Sequence, residues 1–172
     1  MTEIVLSYVS HEADLGVCDE LLREYGSWSS ERLATDCGIG LTDDQLESAH
    51  AMFRAEWPKL RGPKGRLCLA TVDGNAAGVG ALKPVSSDIC ELKRMFVRPH
   101  YRGNGIGRLI LERLIDDARQ IGFRQMRLET MTYMPEAHTL YRTKGFVETE
   151  PFEAEGAGFG LVACELFMVL SL

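Results

Sequence analysis

Residues 101–110 read YRGNGIGRLI, with Gly103, Gly105 and Gly107 crowded together and an apolar helical pattern directly behind them. Glycine gives up more backbone freedom on folding than any other residue and weakens a helix, so three in a row of alternate positions need a use. The flanking sequence supplies one. DICELKRMFV (88–97) reads as a strand, and from about Ile106 to Ile121 the residues Leu109, Ile110, Leu114, Ile115 and Ala118 share one helical side, with Gly122 placed for a C-terminal cap. Strand, glycine turn and helix together build an anion cradle: the first-turn N–H groups are unpaired, and glycines let a ligand approach the backbone. Arg98, His100, Arg102 and Arg108 surround the turn, giving a local cationic site.

The rest of the chain fits one mixed α/β unit over residues 1–172. EIVLSYV (3–9) reads as a strand, followed by a helix carrying Leu15, Cys18, Leu22 and Tyr25 at helical spacing with Ser10 as N-cap. GSWSSERLATDCGIG (26–40) reads as a loop. TDDQLESAHAMFRAEW (42–57) opens on a capping box, Thr42 and Gln45, and Pro58 closes it. RLCLATV (66–72) and NAAGVGALKPV (75–85) form a hairpin around Asp73-Gly74. FRQMRLETM is a strand, PEAHTLYRTKGF a short helix, and FVETE and LVACELFMVLSL are strands separated by PFEAEGAGFG. The order is β-α-α-β-β-β-α-β-α-β-β: about seven strands in a mixed sheet and about four helices.

Totals narrow the function. A length of 172 residues with 45% hydrophobic and 26% charged residues suits one domain with a substantial core. A net charge of −6 disfavours nucleic acid, whose binders present a basic face. No apolar run approaches a membrane span, and MTEIVLSYVS lacks the pattern of a secretory signal. The five cysteines are odd in number and scattered, so neither a disulfide framework nor a metal site is expected. A cytoplasmic protein with reduced thiols is the expectation; homodimerisation stays open.

Three phosphate-binding patterns can be laid on the glycine turn. The Walker form requires Lys then Ser/Thr after its last glycine, and Arg108 and Leu109 stand there instead. The dinucleotide form G-x-G-x-x-G, begun at Gly103, meets Arg108 at its last position. The form R/Q-x-x-G-x-G/A is met by Arg102, Gly105 and Gly107. It resembles the coenzyme A pyrophosphate loop of the GNAT superfamily of N-acetyltransferases. LYRTKGF (140–146) is similar to that family's L-Y-x-x-x-G-F segment, and the resemblance covers about Arg66 to Leu172.

The resemblance implies acetyl-CoA as co-substrate, no metal, and direct transfer to a primary amine of a small molecule or peptide in a ternary complex. It implies that Arg102, Gly103, Asn104, Gly105, Ile106, Gly107 and Arg108 hold the pyrophosphate, while the backbone of Met95, Phe96 and Val97 pairs with the pantetheine arm. Tyr141 becomes the acid facing the coenzyme A sulfur, and Glu91 the candidate base, with a water relay or a purely positioning role as its alternatives. Alternation puts Glu91, Lys93, Met95 and Val97 on one face unless a bulge resets the phase. One departure is Met134, where many family members carry asparagine. The acceptor is expected near Trp28, Arg32 and the 151–160 loop, with Glu148, Glu150, Glu153 and Glu155 available to attract a cation. A non-catalytic coenzyme A binder on the same scaffold and a binder of ATP or a dinucleotide are the competing function classes.

Overall fold

The hairpin turn forms as the sequence dictates: Asp73 and Gly74 take φ of 47° and 80°, the left-handed pair that a tight two-residue connection needs. It joins β2 (Arg66–Val72) to β3 (Asn75–Pro84) in a computed structural model that describes residues 3–152 and 162–172. β1 (Ile4–Tyr8) adds antiparallel to β2, and β4 (Ile89–Val97) antiparallel to β3. After α3 (Ile106–Ile121) the chain returns as β5 (Gln125–Met131), the parallel neighbour of β4. α4 (Pro135–Thr143), β6 (Val147–Glu148) and β7 (Glu165–Ser171) complete a seven-stranded sheet of order β1-β2-β3-β4-β5-β7-β6. β7 is antiparallel to both β5 and β6.

Helices cover both faces. α3 and α4 pack on one, where Ile110, Leu111, Leu114, Leu92, Leu128 and Met126 form the larger core. α1 (Glu12–Cys37) and α2 (Asp43–Leu60) cover the other, over Leu67, Leu69, Val79, Ala81 and Phe96. Between α1 and α2, Asp19 accepts from His50 Nε2 at 2.6 Å and from Arg54 Nε and Nη2 at 2.8 and 2.6 Å. The Arg54 guanidinium is the largest influence holding the Asp19 carboxyl down at about 2.

The N-cap of α1 is His11 rather than Ser10, and two further expectations change. Residues 26–37 are not a loop: α1 runs on to Cys37 and ends at Gly38, whose φ of 70° makes a left-handed cap. Gly16 and Gly26 lower the propensity of that helix, but Leu33, buried against Tyr133, repays its continuation through tertiary packing. α2 likewise passes Pro58 to end at Leu60. Its capping box forms as read, with Gln45 N–H donating to Thr42 Oγ1 and Thr42 N–H to Gln45 Oε1.

Candidate active site

Gly103 and Gly105 hold φ of 83° and 78°, values that side-chain-bearing residues adopt only with strain. Gly105 is the N-cap of α3 and its carbonyl accepts from Leu109 N–H. The first-turn amides of Ile106, Gly107 and Arg108 therefore point away from the helix body. Asn104 Nδ2 donates to the Tyr101 carbonyl at 3.2 Å and pins the turn, while Ile106 is sunk in the core beneath it. Gly107 is different: a Cβ there would meet Val97 and Leu140 at ordinary contact distance, so the fold alone does not demand glycine. The Arg102 side chain folds back, donating from Nε to the Val97 carbonyl at 2.9 Å and lying over Trp28.

β4 and β5 part company halfway along. Their parallel register runs from Ile89↔Gln125 to Leu92↔Leu128 and stops. From Lys93 to Val97 the β5-facing edge of β4 pairs with no strand among the described residues. A bulge lies in the same stretch. Arg94 has φ of 60°, and the β3–β4 register slips by one residue opposite Gly80. The slip resets the alternation. Glu91 and Phe96 stay on the α1–α2 face, whereas Met95 and Val97 turn to the α3 side. The four residues Glu91, Lys93, Met95 and Val97 consequently do not share a face.

Tyr141 projects from α4 into the larger core beside Phe146 and is 6% exposed. Its hydroxyl has no hydrogen-bond partner among the described residues. Burial raises its pKa well above the phenol range, and Tyr25 on the opposite side of the sheet adds to the shift.

On the α1–α2 face the separation opens into a cavity of about 660 Å³. Glu91 is not part of its wall. It is 2% exposed and held by Lys93 Nζ at 3.0 Å and Arg127 Nε at 3.2 Å. Glu129 on β5 does line the cavity. Burial, then the neighbouring Glu165 carboxylate, pushes the Glu129 carboxyl up to about 7. Lys93 and Arg94 line it as well, with Glu56 from α2 bonded to Arg94 Nη2 at 2.6 Å and to Lys83 Nζ at 2.8 Å. Burial works against the Glu56 carboxylate, yet Arg94, Lys83 and Lys93 hold it below its ordinary range. Trp28 and Arg32 stand beside this cavity, with Trp28 edge-on to Tyr133 and Arg32 paired to Asp36 at 2.7 Å. Glu148 is paired with Arg142 on the surface, and Glu153 and Glu155 lie outside the described residues. The wall residues from α2 and β5 were not singled out by sequence. Glu129 gave no signal, since with Gln125 and Arg127 it takes the polar positions of an alternating strand.

A glycine turn and an open strand edge thus lie at one end of the split, and a cavity lined by Glu129 lies on one face of it. In sequence and fold the chain is similar to known proteins. The family model for the acetyltransferase (GNAT) family matches residues 21–146. The chain is 28% identical over 159 residues to the uncharacterized N-acetyltransferase YjgM of Escherichia coli (strain K12), covering 91% of this chain and 86% of that protein. It is 40% identical over 98 residues to the IAA acetyltransferase of Azospirillum brasilense, covering 56% of this chain and 64% of that one. In fold it is similar to an acetyltransferase from Streptococcus agalactiae 2603, with a TM-score of 0.73 at 20% identity over 98% of both chains. It is similar also to the PaiA N-acetyltransferase of Thermoplasma acidophilum, solved in complex with coenzyme A, with a TM-score of 0.72 at 18% identity over 99% of both chains. With nearly three quarters of its length matched by one family model and its fold shared end to end with solved acetyltransferases, the chain belongs to the acetyltransferase (GNAT) family.

Proposed function

We propose that this protein is an acetyl-CoA-dependent N-acetyltransferase acting on a primary amine by direct attack within a ternary complex. The observation that carries the proposal is the parting of β4 from β5 beyond Leu92 and Leu128, with the α3 turn at one end and the Glu129 cavity on one face. The amides of residues 103–108 fit a pyrophosphate, with Arg102 and Arg108 supplying positive charge beside them. The open edge of Met95 to Val97 fits an amide-bearing arm added as an extra strand. The coenzyme A complex of the Thermoplasma protein supports the same ligand here.

Acetyl-CoA supplies a thioester: as the amine nitrogen bonds to its carbonyl carbon, the carbon–sulfur bond breaks and the sulfur leaves with the electron pair. The chain's part is to move protons and orient the partners. A free amine of pKa near ~10 is mostly ammonium at neutral pH, so a base is required. Glu129, poised near neutrality on the cavity wall, takes the amine proton. Glu91, saturated by Lys93 and Arg127, serves instead to hold those cations in place. Tyr141 donates its O–H to the departing sulfur.

An amine-panel assay of thiol release from acetyl-CoA tests the proposal. With an accepted amine, kcat/KM should fall as the pH drops through about 7, because Glu129 then becomes protonated. Glu129→Gln should abolish that limb and slow turnover by roughly 10²–10⁴-fold. Cofactor binding without thiol release across the panel would mark a non-catalytic binder. An unchanged acidic limb in Glu129→Gln would remove Glu129 from the mechanism.

A further inference from the structure

Consecutive strand residues ordinarily point to opposite faces, yet Lys93 and Arg94 both line the same cavity. The bulge achieves this by holding Arg94 at φ of 60°, a left-handed conformation that strains a non-glycine residue. The result is two adjacent cations on the wall of one cavity. Glu56 and Glu91 are the carboxylates bonded to them, and Asp43, Glu47 and Glu129 line other parts of the same cavity. Glu56 Oε2 accepts from Arg94 Nη2 at 2.6 Å, and Glu56 Oε1 lies 2.8 Å from Lys83 Nζ and 3.7 Å from Lys93 Nζ. Lys93 also meets Glu91 at 3.0 Å.

Arg94 is only partly used. Of its donors, Nη2 alone has an acceptor among the described residues, and Nε is buried without a partner. Phe53 lies flat under the guanidinium, 3.5 Å from ring centroid to Cζ. The ring contact with Phe53 and the bond to Glu56 hold the guanidinium in place, and Arg94 forms part of the cavity wall. A fixed, incompletely satisfied guanidinium with an ammonium beside it is a fork for a planar anion. Glu129, on the neighbouring strand of the same wall, provides the opposite polarity. Leu33, Leu41 and Met131 make another part of the lining apolar.

Resting on the acetyl-transfer reading above, we infer that the acceptor is an amine bearing a carboxylate within a few bonds of its nitrogen, the carboxylate held by Arg94 and Lys93 and the nitrogen turned to Glu129. An amino acid with an apolar side chain has this pattern. A polyamine or a lysine side chain does not.

Matched acceptors test this in the wild-type protein, without a variant that might fail to fold. L-leucine and L-phenylalanine are compared with their amides, which keep the amine and side chain but lose the negative charge. Binding is read by calorimetry with coenzyme A present, and turnover by thiol release with acetyl-CoA. The free acids should bind and react roughly 10–100-fold better than the amides, the factor expected for charge-assisted hydrogen bonds. Arg94→Gln should erase the preference and leave acetyl-CoA affinity unchanged. Equal handling of acids and amides, or an Arg94→Gln effect of the same size on both, would overturn the inference. Preferential binding of the acids without any thiol release would instead uphold carboxylate recognition and refute acetyl transfer.

Discussion

At the scale of single residues, the choice between Glu91 and Glu129 turns on what surrounds each carboxyl. Both carboxylate oxygens of Glu91 are taken, Oε1 by Lys93 Nζ at 3.0 Å and Oε2 by Arg127 Nε at 3.2 Å. Glu129, facing another carboxyl and packed away from water, is kept close to the point where it exchanges a proton at neutral pH. Tyr141 has the opposite character. Its phenol holds its proton more firmly than a free one, so it suits hydrogen bonding to a developing thiolate better than complete early proton release. Tyr141→Phe should therefore slow turnover by about 10–100-fold, within the lower range of acid catalysis, and leave acetyl-CoA affinity intact. Undiminished kcat in that variant would exclude Tyr141 from the reaction. The sequence made Tyr141 legible through its position in LYRTKGF. It hid Glu129, because the neighbours that tune it, Glu165 and Lys93, come from distant segments.

At the scale of elements, the N-terminus of α3 and the irregular half of β4 are what the proposed cofactor would meet. One helix terminus stabilises an anion by only about 0.3–1 kcal/mol when exposed, and up to ~2 when partly buried. Several amides and the flanking arginines must act together, which makes the shape of the turn decisive. Gly105→Val places a β-branched residue at φ of 78° and a side chain where a ligand approaches. The variant should lose acetyl-CoA affinity by at least about 100-fold, measured by calorimetry, because both strain and obstruction oppose the bound form. Wild-type affinity would show that the turn does not hold the cofactor. The turn, α3 and the hairpin at Asp73-Gly74 were readable because glycine at positive φ and apolar periodicity are local signals. The bulge at Arg94 and the extension of α1 through Ser27–Ser30 were not, since cross-strand register and tertiary packing decide both.

At the scale of the whole molecule, seven strands give a sheet that is continuous at one end and divided at the other. Tyr141 lies on the α3–α4 side of the sheet and Glu129 and Arg94 on the α1–α2 side, so the proposed reaction needs the thioester to pass through the division between them. Element order was legible from the chain as a whole; the cavity was not, because its wall combines α1, α2, β4 and β5 and no single segment announces it. A crystal structure with coenzyme A bound is the direct test. The pyrophosphate should lie on the amides of residues 103–108, the pantetheine should run along Met95 to Val97, and the sulfur should come within hydrogen-bond reach of the Tyr141 hydroxyl. Coenzyme A seated away from the split, with β4 and β5 closed against each other, would contradict the account.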